Sequence, residues 1–445
     1  MNRRRFTLKL LVVWVAVTGA LSPAGAVEPF AESLAMKVID PAYYDGVLAR
    51  IQAFDRILVP SIGGQIYISF DAAKEGPGIL VLDAESLAVV NVHWAEQVGL
   101  DPSDRWLAGT LMPSGANALF CTSAAEAAEE QPTVKLVRIS TNRDTAPRVS
   151  SLTLPEVPAA IAPIRDHGQL LVLTRPSNFA VRVDPITNEV VSVNRDIFPF
   201  IPYDYPPGRC LEPLANGQIY GSFKGRLFAY LPPTPPPGSR PSGSDPVPGH
   251  SPPGSNSAPG SPEPFESSEL SDPPDAMDTS EDEFFAYLGL LPCEYGHLSQ
   301  VALSAAASDG EGTLVGGTAA GGYLFTVDTN TQEVKPWGRP TDGTEIRARV
   351  HAGTTGISGW AVKPDQTTHT FNFRPDERVL KDHGVPAGSL EQDGRQWTWH
   401  AHRVADMAVL PDGRILLAER ANQAKLLVFE PPPQPTEATD ASDHP

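Results

Sequence analysis

Residues 167–193, "HGQLLVLTRPSNFAVRVDPITNEVVSV", hold a turn glycine, an apolar strand, a second strand ending in Asp184, a polar turn and a third strand. Glycine accepts the positive φ that a tight hairpin requires, and the strand that follows alternates its faces. Asp184 stands where an Asx turn closes the next connection.

The pattern recurs along the chain. Turn glycines open "GGQIYIS" (Gly64), "SGANALF" (Gly115), "HGQLLVL" (Gly168) and "NGQIYGS" (Gly217). They return in "EGTLVGG" (Gly312), "TGISGWAV" (Gly356) and "DGRILLA" (Gly413). The Asp-closed marker is clearest at Asp83, Asp184 and Asp328. Five of the six glycine spacings fall between 44 and 57 residues, whereas Gly217 to Gly312 spans 95. That interval contains residues 231–283, rich in Pro, Ser, Gly and acid, and removing them leaves about 42. Four short strands per unit in about seven units predict an all-β fold, a seven-bladed β-propeller of four-stranded antiparallel blades.

The chain thereby resembles bacterial exported seven-bladed propellers of the broad WD-repeat-like, YVTN and quinoprotein-like superfamily, over residues ~30–430. The markers are generic, so the resemblance implies architecture rather than activity. No Trp-Asp dipeptide ends a unit. "DTNTQEVKPW" (328–337) resembles a tryptophan-docking motif of quinoprotein dehydrogenases. Gln332 stands in place of its glycine, its tryptophan falls one residue late, and the other units lack it, so pyrroloquinoline quinone is not expected. The last unit shows three strands before Pro431, and the missing outer strand is expected from the N-terminal "AMKVID" (35–40), closing the ring.

Residues 1–26 read as a secretory signal peptide: a basic start, an apolar run over Leu10–Leu21 too short to span a bilayer, and Ala24-Gly25-Ala26. Arg3-Arg4-Arg5-Phe6 also resembles a twin-arginine signal, although Thr7 departs from it. Export to the periplasm or cell exterior by either route, with no anchor after cleavage, is the expectation. Residues 27–430 then form one domain, with 231–283 a disordered insertion in blade four and 431–445 a disordered tail.

The net charge of −19 over 445 residues, without a basic stripe, argues against nucleic acid and anionic membrane surfaces as partners. A carbohydrate or protein partner and a monomeric state fit this chemistry. Of three cysteines, Cys121 reads as a buried thiol, and Cys210 and Cys293 are open to pairing. No Cys/His spacing of a structural zinc site occurs.

Chemistry is expected where innermost strands reach the channel rim. "HLSQVALSAAASDG" (297–310) and "HAHRVADMAVLPDG" (400–413) align, bringing His297 and His400 to equivalent places. On a strand, His400 and His402 point to one face roughly 6.5–7 Å apart, spacing that suits a shared metal with His297 as third ligand. They equally suit a ligand contact without metal, or filling of the space where a strand enters the channel. Arg347, Arg349, Arg403 and Trp399 are the ligand-binding candidates beside them. Tyr203 and Tyr295 complete a His/Tyr/Arg set that β-elimination from uronic acids would use, with Arg on the carboxylate and Tyr protonating the leaving oxygen. Two functions therefore stand: a propeller binding a carbohydrate-like ligand or protein at its channel face, or a polysaccharide lyase-like or hydrolase-like enzyme. No G-x-S-x-G, HExxH or phosphate-binding loop is present.

Overall fold

The computed structural model describes residues 36–39, 50–197, 209–232, 284–294 and 301–429, apart from short stretches within these spans. Six four-stranded antiparallel sheets follow one another along the chain: blade 1 (51–94), blade 2 (105–153), blade 3 (157–194), blade 4 (211–290), blade 5 (302–338) and blade 6 (345–384). Within each, the chain meanders outward from the innermost strand to the fourth. The innermost strands adjoin in sequence, from Ile51–Leu58 through Arg105–Leu111 and onward to Glu345–Gly353, around a common axis.

The ring is completed by a closing sheet of another composition. From the inside outward it contains Val404–Val409, Ile415–Glu419, Leu426–Phe429, Met36–Ile39, Ala387–Gln392 and Arg395–His400. The expectation of seven four-stranded antiparallel blades is therefore overturned: six blades of that kind are present, and the remaining sheet has six strands and mixed direction. The segment expected to supply an outer strand does so, with Met36–Ile39 antiparallel to Leu426–Phe429 in the register Met36↔Phe429 to Ile39↔Leu426. Its other edge takes up a hairpin through the parallel pair Lys37↔Ser389. That hairpin, 387–400, turns on Gly394 (φ 69°), a turn glycine that falls outside the seven used to count the units.

Local chemistry explains the repeated meander. Gly168 (φ 65°) and Gly413 (φ 86°) occupy left-handed turns between innermost and second strands, where a β-carbon would be strained. The Asx turns form as the aspartates implied. Asp83 Oδ1 accepts from the N–H of Glu85 and Ser86, Asp184 Oδ1 from Ile186 and Thr187, and Asp328 Oδ1 from Asn330 and Thr331. Four residues after each aspartate, Leu87, Asn188 and Gln332 take φ near 60°. Gln332 thus adopts the backbone that a glycine would hold there.

A second regularity lies between strands two and three. Gly78, Gly221, Gly316 and Gly359 stand directly opposite Phe70, Phe228, Phe325 and Phe371. The phenyl ring lies across the glycine: a β-carbon at Gly316 would meet Phe325 Cζ at 2.3 Å. Each phenylalanine so folded is buried between neighbouring sheets.

Neighbouring sheets are joined by buried apolar clusters. One joins blade 1 (Phe54, Ile66, Ile68, Phe70) to the closing sheet (Leu416, Ala418, Leu426, Val428). Another sets Trp360 of blade 6 against Met407, Leu417 and Leu427. Polar staples accompany them. The Ile57 N–H donates to Asp406 Oδ2 at 2.7 Å across the seam between blade 1 and the closing sheet. Val404 N–H donates to Thr368 Oγ1 of blade 6 at 3.1 Å.

Cys210 and Cys293 both carry thiols and pack in the cluster between blades 4 and 5, and burial pushes the Cys293 thiol up. Residues 1–26, almost all of the 231–283 insertion and 431–445 lie outside the described residues. The flanking strands Arg226–Leu231 and Phe284–Leu290 pair as the third and fourth strands of blade 4. No described helix is long and apolar enough to cross a membrane.

Because Met36–Ile39 covers the outer edge of Leu426–Phe429, its removal exposes a row of unpaired backbone groups. Deleting residues 27–45 should lower the thermal midpoint and broaden unfolding. A deletion variant that melts with the wild-type curve would contradict this closure.

Candidate functional site

A cleft of about 850 Å³ opens at the end of the ring where innermost strands begin. Its walls come from both sides of the seam. Blade 1 gives Gln52, Ala53, Asp71 and Ala72, and blade 2 gives Arg105. The closing sheet and its hairpin give Thr398, Trp399, His400, His402, Arg403, Glu419 and Arg420.

Backbone hydrogen bonds fix the histidine wall. His400 ends the strand Arg395–His400, and residues 401–403 lead irregularly into the innermost strand. His400 and His402 therefore do not share one strand. Ala401, wholly buried between them, donates its N–H to Pro386 O at 2.8 Å, and His402 O accepts from Thr368 N–H at 2.8 Å. Arg403 O accepts from Arg420 N–H at 2.6 Å. Both imidazoles are exposed on the cleft wall, with ring centroids 6.3 Å apart and planes inclined by 29°. Exposure leaves them accessible to a ligand, in contrast with packing filler.

The cleft also holds two carboxyl groups, Glu419 on the closing sheet and Asp71 on blade 1. Glu419 is 2% exposed. Its Oε2 accepts from Trp399 Nε1–H at 3.0 Å and from Lys425 N–H at 3.2 Å, while the Lys425 ammonium stands 4.7 Å from the Trp399 ring centroid. Burial raises the Glu419 pKa to about 7, against the opposing pull of those two N–H donors and of the Lys425 charge. Asp71 is also raised, by burial and then by Asp55, with Arg105 and Arg420 pulling the other way. Among the described residues, no donor reaches its buried Oδ1. Two carboxyls with raised pKa thus line the same cleft as two imidazoles and three guanidiniums.

Of the sequence candidates, the structure thus brings His400, His402, Arg403 and Trp399 together. Arg347 is placed elsewhere: its Nε lies 3.2 Å from Glu345 Oε2, and Arg209 Nη1 lies 2.8 Å from Glu345 Oε1. Tyr203, Tyr295 and His297, and the side chain of Arg349, lie outside the described residues. Among the described residues no group of three or more His, Cys, Asp or Glu is arranged to hold a metal. Asp71, Arg105, Glu419 and Arg420 were missed. The "LLAER" (416–420) and "FDAA" (70–73) strand ends carry charge straight after apolar runs, which was the signal available.

A second cavity of about 180 Å³ follows the axis, lined among others by Arg56, Thr110, Ile161, Arg209, Cys210 and Ser304. Burial opposes the charge on Arg56, but Asp406 and Asp55 outweigh it and raise its pKa.

Glu419 makes stability depend on pH with a definite sign. Its folded value of about 7 exceeds the ordinary 4.5, so its contribution is complete below pH 4.5 and is lost as pH rises through 7. The loss amounts to about 3 kcal/mol. Urea unfolding of Glu419→Gln should therefore match the wild type near pH 4.5 and exceed it increasingly up to pH 8. Parallel stability profiles for the two proteins would refute the assignment.

No protein-family model matches the sequence, and no curated protein matches it. Among solved structures, the chain is similar to a catalytically inactive histidine-to-alanine variant of virginiamycin B lyase from Staphylococcus aureus with quinupristin. The TM-score is 0.54 at 10% identity, over 89% of this chain and 99% of that one. It is similar to the extracellular domain assigned to the one component system BT4673 of B. thetaiotaomicron, with TM-score 0.53 and 11% identity over 89% of this chain. This chain spans 40% of that domain's length. The WD40 repeats of RRP9 give TM-score 0.51 at 10% identity, over 89% of this chain and 98% of that one. At such identities the likeness establishes architecture alone, and the architecture is that of a β-propeller.

Proposed function

We propose that this chain is an exported β-propeller that binds an anionic, carbohydrate-like ligand in the cleft between blade 1 and the closing sheet. One observation carries the reading: Arg105, Arg403 and Arg420 converge with His400, His402 and Trp399 on a single cleft. In a protein of net charge −19, such a concentration of basic groups focuses an anion locally. The volume suits a small oligosaccharide, and Trp399 with Thr398 and Gln52 offers an aromatic edge and hydrogen-bonding groups of the kind sugars engage. Export rests on the arginine, apolar and small-residue series of residues 1–26.

Isothermal titration with galacturonate and neutral galactose oligosaccharides tests this. The acidic sugar should bind, the neutral one at least tenfold more weakly, and Arg403→Ala with Arg420→Ala should weaken the acidic sugar at least tenfold. Equal binding of both sugars, or indifference to the two arginines, would refute the reading.

A second reading, a lyase-like or hydrolase-like enzyme, is favoured specifically by Glu419. A carboxyl with its pKa near 7 is matched to general acid or base work at neutral pH, and His400 and Arg403 line the same cleft. For an elimination, the base removes the C5 proton, the C4–O bond breaks, and the leaving oxygen is protonated. Absorbance near 235 nm would report the unsaturated product, and Glu419→Gln should abolish it.

A further inference from the structure

The ligand and the cleft of the preceding section leave one electrostatic difficulty, and its resolution rests on that reading. A carboxylate entering this cleft meets carboxyl groups already there. Asp71 lies within the fields of Arg105 and Arg420, and Asp55 Oδ1 lies 4.0 Å from Arg420 Nη2. Those guanidiniums are therefore partly compensated before any ligand arrives.

Glu419 is the group placed to relieve the conflict. Both of its hydrogen bonds among the described residues go to Oε2, from Trp399 Nε1–H and Lys425 N–H. No described residue donates to Oε1, and Glu419 lines the cleft. The charged and titratable groups of the cleft come from every element that lines it. Lys425 before the next strand is the charge that acts on Glu419. His400 on the hairpin, His402 and Arg403 on the segment leading inward, Arg420 beside Glu419 in sequence, and Asp71 and Arg105 across the seam line the same cleft.

We propose that ligand carboxylate binding in this cleft is coupled to uptake of one proton at Glu419, whose neutral Oε1–H hydrogen-bonds the bound carboxylate. Two carboxylates brought together cannot both stay ionised, and one proton shared between them converts repulsion into a hydrogen bond. The N–H donors fixed on Oε2 leave Oε1 for that proton. Burial already holds the group near its midpoint at neutral pH, so the coupling acts in the physiological range. The site would thus bind uronate-class sugars as acid–carboxylate pairs and release them as pH rises.

Calorimetric titration of the full chain with a galacturonate trisaccharide, at pH 5.5 to 8.5 and in two buffers of different ionisation enthalpy, tests the proposal. Proton uptake should approach one per ligand above pH 7, with affinity falling toward tenfold per pH unit. Glu419→Gln should bind at least tenfold more tightly than the wild type at pH 8.5 and show neither uptake nor that slope. His400→Gln with His402→Gln should weaken binding but keep the slope, which separates Glu419 from the imidazoles. A wild type that binds through Arg403 and Arg420 without proton uptake would overturn the coupling and leave the cleft reading intact, as would a slope retained in Glu419→Gln. Failure of galacturonate to bind at any pH would overturn both.

Discussion

The hydrogen bond from Ile57 N–H to Asp406 Oδ2 joins residues 349 apart in sequence and closes the ring. Asp406 is 1% exposed, and its other oxygen accepts from Met407 N–H at 2.9 Å. A buried carboxylate is costly unless its oxygens are occupied. Here two backbone donors occupy it, and the Arg56 charge stands near. The donor Ile57 lies at an irregularity in the pairing of the first two strands of blade 1, between Phe54 and Ile57. A free N–H there would be a buried orphan, so bulge and carboxylate satisfy each other.

That seam also makes the cleft. The innermost strands of blade 1 and the closing sheet are held side by side by Asp406 and by the shared apolar cluster. At their starting ends the cleft opens, lined by the charged ends of adjoining strands. Arg105, Asp71, Glu419 and Arg420 are charged residues at or just beyond strand termini, where the backbone leaves the core. The appended hairpin adds the aromatic part: Trp399 packs on the closing sheet while its Nε1–H reaches Glu419. Site and closure thus share one structural origin.

Much of the architecture was legible because it depends on local chemistry. Turn glycines and Asx-closing aspartates act within a few residues, so Gly168 and Asp184 announce a meander to anyone reading linearly. The hairpin 387–400 was not legible. What places it acts at long range: the parallel pair Lys37↔Ser389, the packing of Trp399 on the closing sheet and the bond from Trp399 Nε1–H to Glu419. His400 and His402 were legible as a pair but assigned to one strand, because nothing local shows that the strand ends at His400. Glu419 and Asp71 were invisible for another reason. Their raised pKa values arise first from burial, a property of the assembled tertiary structure that no single strand's sequence reveals.

The measurement that bears most directly on this account is the unfolding free energy of Asp406→Ala, read alongside galacturonate binding. Removing the carboxylate leaves the N–H groups of Ile57 and Met407 buried without acceptors, which should cost about 3 kcal/mol. Binding in the cleft should weaken with it, since both walls hang on that seam. A variant as stable as the wild type, binding galacturonate with unchanged affinity, would contradict the account.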